Sequence, residues 1–460
     1  MIPDLISPYK QQFTEHTELR AQRNVTRSVQ LLGGNLVTNL RSENGGVSSR
    51  VYKNGVYGFA SHAEYTQGSV QAVLEAAGEN AVFLDSRIQN AARPLPSLAA
   101  GKKELRLAIR DIEQKRYIEF AQGLDSYITR KYPGLASRML VVKADSTEKL
   151  LCVSDGCDLY SLVPRCHVYV FLTANTPDGS TVELYSVFGG NGWFDEHFSG
   201  PEVLYAGIDS LYEELAKKAE GVYPEAGVWD VVIHPKLAGI LAHEAVGHTV
   251  EADLVRSGSV AAYNLNQRVA SELVTMVDFA HTIEDGSPAP VPVLADDEGT
   301  PAEDAVLIEN GILRGYMHSR ESALHFGVNP QGNARASQFS DEPLIRMRNT
   351  AILPGRDKLE DMIAAIDKGY YFTDTNNGQA DMTGEFMFGV SMGYEIRGGK
   401  LGRAIRDTTI SGVAFEMLRT VDMLSDEMYW TCSGMCGKKQ WIPVGMGGPA
   451  IKCKMSIGGR

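Results

Sequence analysis

Cys166-His167-Val168-Tyr169-Val170-Phe171-Leu172-Thr173 and Thr181-Val182-Glu183-Leu184-Tyr185-Ser186-Val187-Phe188 are two β-type runs flanking Asn175-Thr176-Pro177-Asp178-Gly179. Asn, Asp, Pro and Gly favour a reversal through local hydrogen bonding, a fixed φ or tolerance of positive φ. Two further runs, residues 139–143 and 149–153, precede them at equally short spacing. A parallel crossover needs about a dozen residues or more, so the spacing predicts antiparallel pairing. The first half is therefore an antiparallel sheet with packed helices, and the fold class is α+β.

The surrounding sequence extends this reading. Residues 47–61 hold two short runs around Lys53-Asn54-Gly55, and Asn-Gly between β-type residues signals a hairpin. Ser69 is placed to cap a helix running to about residue 77 that buries Val70, Val73 and Leu74. A helix over 112–131 puts Ile118, Ala121, Leu124 and Ile128 on one face, with Pro133-Gly134 ending it. Another is expected over 202–218. The stretch Gly221-Val222-Tyr223-Pro224-Glu225-Ala226-Gly227 then marks a junction between an N-terminal α+β domain, 1–224, and a C-terminal β-rich, barrel-like domain, 225–460. The second domain opens with a strand over 229–233, then His234-Pro235 and a helix. Short strand-like runs follow. Leu359, Met362, Ile363 and Ile366 keep helical spacing, with Gly369 at the expected C-terminal cap.

Composition narrows the class of protein. At 460 residues, 43% hydrophobic and 22% charged, the chain has the make-up of an ordinary globular protein. A net charge of −13 without a long basic run argues against nucleic acid as a partner. Met1-Ile2-Pro3-Asp4 does not read as a secretory signal, and no apolar run approaches the roughly 18 residues of a membrane span. Six cysteines are too sparse for a disulfide scaffold, so a cytoplasmic location is expected.

The chemistry sits in Leu241-Ala242-His243-Glu244-Ala245-Val246-Gly247-His248, an HExxxH pattern. Neutral imidazoles suit zinc, and a carboxylate beside the first ligand can take a proton from metal-bound water. The spacing is one residue longer than HExxH. At about 100° per residue, positions i and i+5 diverge by about 140° on a regular helix. Both rings can meet one ion only across a widened, π-type turn. A distorted helix is therefore expected over residues 245–248, with Gly247 lowering the resistance to it. A catalytic zinc usually has three protein ligands. Spacing leaves Cys432, Cys436, Cys453, Glu251 and Asp253 open as the third.

His243–His248 followed by Glu251-Ala252-Asp253 resembles the signature of the TldD/PmbA metallopeptidase family, on its TldD-like, motif-bearing side. Gly46-Val47-Ser48 to Gly58-Phe59-Ala60-Ser61 is similar to the family's N-terminal hairpin. Asp297-Glu298-Gly299-Thr300-Pro301, Arg346-Met347-Arg348-Asn349-Thr350, Gly384-Glu385-Phe386-Met387-Phe388-Gly389-Val390-Ser391 and Cys436-Gly437-Lys438 with Val444-Gly445 resemble its C-terminal domain. Thr249 departs from the pattern, where a glycine is expected. The resemblance implies Cys436 as the third zinc ligand and Glu244 as the catalytic base. It also implies small or unfolded peptides as substrates, and either a homodimer or a heterodimer with a PmbA-like subunit. Two other readings compete: a metal-dependent hydrolase of other amides, and a non-catalytic peptide-binding subunit with a structural metal. Cys152, Cys157, Cys166 and His167 match no zinc spacing, and Asp296-Asp297-Glu298 reads as a solvated or hydrogen-bonded turn.

Overall fold

The computed structural model describes residues 2, 5–88 and 94–458, so Met1, Pro3 and Asp4 of the N-terminal stretch read above lie outside it. A seven-stranded sheet takes its strands from the first half. His16–Leu32 is flanked by Asn35–Lys53 on one side and Ser137–Val153 on the other, both antiparallel. Cys157–Asn175 pairs antiparallel with Ser137–Val153 and with Thr181–Asn191, whose register Asn175↔Thr181 closes the turn read from sequence. Val56–His62 pairs antiparallel with the outer side of Asn35–Lys53, and one short parallel strand, Gly101–Leu105, completes the sheet. Asn54 and Gly55 take φ of 46° and 94°, the left-handed pair that a two-residue hairpin needs.

Two expected strands, 139–143 and 149–153, are one strand, Ser137–Val153. The polar residues between them do not break it because partners across the sheet absorb their charge. Arg165 donates to Asp145 at 3.0 Å and the Tyr160 hydroxyl to Glu148 at 2.8 Å. The first helix, Gln67–Arg87, starts earlier than expected and runs further. Thr66, not Ser69, is its cap, accepting from the Ser69 N–H at 3.0 Å. Helix Gln114–Lys131 starts two residues later than expected and buries Ala121, Leu124 and Ile128 of the face read from sequence, together with Tyr117 and Phe120, while Ile118 is half-buried. Helix Tyr205–Ala219 buries Ile208, Leu211 and Leu215.

An eleven-stranded sheet occupies the second half, and five of its strands close into a barrel. Gly227–Ile233, Lys368–Ala380, Glu385–Arg397, Thr408–Val413 and Gly445–Ile457 follow one another around it. Closure comes from Gly445–Ile457, which pairs with Thr408–Val413 and also with Gly227–Ile233. Val231, Ile233, Phe372, Phe388, Ile410 and Ile451 belong to one buried cluster with Leu237 and Leu241 of the next helix. The expected helix near residue 359 is shorter than read, Leu359–Ala364, and Gly369 lies in the strand Lys368–Ala380 rather than at a cap.

Buried charge joins the first sheet to a turn of the second half. Lys149 donates to Asp297 at 2.6 Å, and Arg50 bridges Glu18 and Glu298. Asp296-Asp297-Glu298 is thus a hydrogen-bonded turn buried between the halves, not a solvated one. Asp296 itself accepts from the N–H groups of Glu298 and Thr300.

Candidate metal centre

The strand Gly227–Ile233 runs into His234, whose ring caps the next helix by accepting from the Lys236 N–H at 3.1 Å. Pro235 occupies the first helical position, where no N–H is required. The helix is regular from Pro235 to Leu241, then widens into a π turn over Ala242–Val246, closed by the Gly247 N–H on the Ala242 carbonyl. A 3-10 turn, Gly247–Val250, follows. The widening expected over 245–248 therefore begins three residues earlier. Gly247 has an ordinary helical φ of −52°. Its contribution is space: a Cβ there would lie 2.0 Å from Met347 Sδ.

The wide turn brings the two imidazoles to one side. Their ring centroids lie 5.3 Å apart at 82°. Cys436 arrives on a short two-stranded hairpin, Met435–Cys436 with Ile442–Pro443. Its Sγ is 3.5 Å from Nε2 of His248. The three candidate ligand atoms of His243, His248 and Cys436 all lie within 4.8 Å of one another. No second group of three such residues occurs among the described residues. Glu244 Oε2 sits 3.8 Å from His248 Nε2, its side chain 29% exposed, so it borders both the donors and solvent.

The other candidates for a third ligand fall elsewhere. Glu251 stands behind His248, with Oε2 2.9 Å from Nδ1, and Lys438 contacts the same oxygen at 3.1 Å. Asp253 pairs with Lys438 at 2.9 Å. Cys432 faces His167, with Sγ 3.7 Å from Nε2, and Cys453 is buried in the barrel strand. Arg346, which donates to the Cys436 carbonyl at 2.7 Å, was not singled out from sequence. The family-like stretch Arg346-Met347-Arg348-Asn349-Thr350 marked its segment without giving Arg346 a role.

These residues fit a bound metal. His243 is 1% exposed, and neither ring nitrogen makes a well-formed hydrogen bond. Leaving such a group buried and unsatisfied is costly unless something else binds it. Burial pushes the Cys436 thiol up, but the imidazoles of His243 and His248 outweigh it and bring the thiol down to about 3. Burial pushes His248 down, while Cys436 and Glu251 together raise it to about 10. The sulfur is thus held as a thiolate against a protonated His248, and a cation taking both as ligands displaces the proton on Nε2. Two imidazoles and a thiolate form a donor set for a borderline-soft ion such as zinc.

Fold and donor set together define a candidate metal-binding protein of the α+β class. The comparisons with known proteins go further. The profile of the PmbA/TldA metallopeptidase C-terminal domain matches residues 226–459, and that of PmbA/TldA metallopeptidase domain 1 matches residues 17–81. A metalloprotease of Methanothermobacter thermautotrophicus is 30% identical over 97% of this chain and 95% of its own length. A zinc metalloprotease TldD homolog of Saccharolobus solfataricus is 28% identical over 90% of each chain. TldE from Thermococcus kodakarensis superposes with a TM-score of 0.75 over the whole of both chains at 17% identity, a likeness of fold. The chain belongs to the PmbA/TldD metallopeptidase family. No helix among the described residues is long and apolar enough to cross a membrane.

Proposed function

We propose that this chain is a zinc metallopeptidase acting on small or unfolded peptides, with His243, His248 and Cys436 as metal ligands and Glu244 as general base. The convergence of three donor atoms within 4.8 Å, with the Glu244 carboxylate at their edge, carries this reading. Zinc, when bound, would supply a Lewis acid that polarises the scissile carbonyl and acidifies water. Glu244 Oε2 accepts the proton of the attacking water and passes it to the departing amine. Glu251 holds Nδ1 of His248, which leaves Nε2 facing Cys436.

The substrate is proposed to lie as an extended strand near the site. Met423–Thr431 pairs with Gly445–Ile457 on one side and carries on the other a bridge from Ser425 to Asp357, and its chain continues past that bridge to Cys436. Main-chain pairing along such an edge gives sequence-tolerant affinity. The division into domains 1–224 and 225–460 places every site residue in the second. Assembly with a PmbA-like subunit, or as a homodimer, is part of the same proposal. A cytoplasmic setting suits the cysteines, all six of which are free thiols.

The test is cleavage of short flexible peptides, followed by mass spectrometry, with zinc content measured in parallel. Glu244→Gln is expected to lower turnover by roughly 10²–10⁴-fold with zinc retained. Loss of zinc in that variant would make Glu244 a structural residue and overturn its role as base.

A further inference from the structure

Arg346 is fully buried, yet its hydrogen bonds go to main-chain carbonyls of a single hairpin. Nη2 donates to the Cys436 carbonyl at 2.7 Å, and Nη1 to those of Gln440 and Lys438 at 2.8 and 3.2 Å. Its neighbour Arg348 is used differently, paired with the buried carboxylate of Asp278 at 2.8 Å. Burying a guanidinium is costly without strong acceptors. A planar fork of donors can meet several carbonyls at once, which a lysine ammonium cannot do in the same fixed geometry.

Further contacts hold the same hairpin, among them the Ser337 hydroxyl, which donates to the Trp441 carbonyl at 2.6 Å. Arg335 donates to the Pro443 carbonyl at 2.9 Å and to that of Met347 at 2.6 Å. Met347 is the residue that packs on Gly247 of the wide turn. Lys438 reaches Glu251, which in turn contacts His248. The hairpin bearing the sulfur is therefore tied at its start, tip and end, and two of the ties lead back to the segment bearing the imidazoles.

We propose that Arg346 is a positioning residue for the metal centre: its clamp on three carbonyls holds the Met435–Pro443 hairpin so that Cys436 is presented before a metal arrives. This rests on the ligand assignment above but not on peptidase activity. Binding to a preorganised site avoids the cost of ordering a loop at the moment of capture. Outer residues that orient metal ligands typically change affinity about 10–100-fold when replaced.

The experiment uses the full chain, stripped with a chelator and titrated with Co²⁺ as the probe. The near-ultraviolet thiolate-to-cobalt band reports Cys436, and the visible d–d bands report the ion's overall ligation. Arg346→Lys and Arg346→Met are expected to weaken Co²⁺ binding about 10–100-fold and to diminish the thiolate band relative to the d–d bands. Circular dichroism establishes that the variants are folded. A folded Arg346→Lys protein with wild-type affinity and an undiminished thiolate band would overturn the proposal. If neither variant folds, hydrogen exchange of the metal-free wild type decides. Protected amides over residues 435–443 are expected, whereas free exchange there until Co²⁺ is added would overturn it. Cys436→Ser separates the levels, since unchanged affinity and spectrum in that variant would remove the ligand assignment itself.

Discussion

Glu251 Oε2 lies 2.9 Å from Nδ1 of His248, and both belong to the segment that leaves the wide helical turn. The carboxylate is fully buried, with Lys438 contacting the same oxygen. Such a contact fixes the orientation of the ring and raises the basicity of the opposite nitrogen. Glu251→Gln should keep the shape while removing the charge, and zinc affinity should fall about 10–100-fold. Competition against a chromophoric chelator measures this, and wild-type affinity in the variant would mean that Glu251 does not tune the ligand.

Met347 packs against Gly247, the residue that closes the wide turn. Adding a Cβ at Gly247 places it 2.0 Å from Sδ of Met347, which lies on the link between strands Leu344–Ile345 and Asn349–Ile352. Overpacking of this kind costs about 1–3 kcal/mol. Gly247→Ala should lose that much in urea denaturation, and adding Met347→Ala should recover part of it. A single variant as stable as wild type would show that the turn has room the structure does not show.

Acid should weaken the fold through two buried neutral histidines. Burial, aided by the Arg165 cation, lowers His167 to about 4, and burial alone lowers His318 to about 4, from an ordinary value of 6.5. Between those pH values the unfolded chain takes up protons that the folded one refuses. Stability therefore rises with pH from about 4 to 6.5 and is lost on acidification through that window, by up to on the order of 1–3 kcal/mol per histidine. His318→Gln should flatten the slope measured by denaturation across this range. An unchanged slope would mean that His318 is not held neutral.

Much of this was legible in local chemistry, and the failures share a cause. Asn54-Gly55 and the Asn175–Gly179 turn announced their hairpins because reversals depend on the residues within them. The helix over 114–131 followed its apolar face. The need for a wide turn followed from the geometry of two histidines five positions apart, and the structure places it at Ala242–Val246. The continuous strand Ser137–Val153 was hidden because Asp145 and Glu148 are sustained by Arg165 and Tyr160, partners on a neighbouring strand. Residue spacing could not choose among Cys432, Cys436 and Cys453. Only the resemblance to a known family pointed to Cys436, whose hairpin lies 188 residues beyond His248. Arg346 was missed because its partners are main-chain carbonyls 90 to 94 residues away, which no motif records.

The proposed peptidase chemistry requires that His243, His248 and Cys436 share one ion. The most direct measurement is zinc content per chain by mass spectrometry of the metal, taken with peptide cleavage, for wild type and Cys436→Ser. One zinc and turnover are expected in the wild type, with both lost in a variant whose circular dichroism is unchanged. A folded Cys436→Ser protein that keeps its zinc and its turnover would contradict the account.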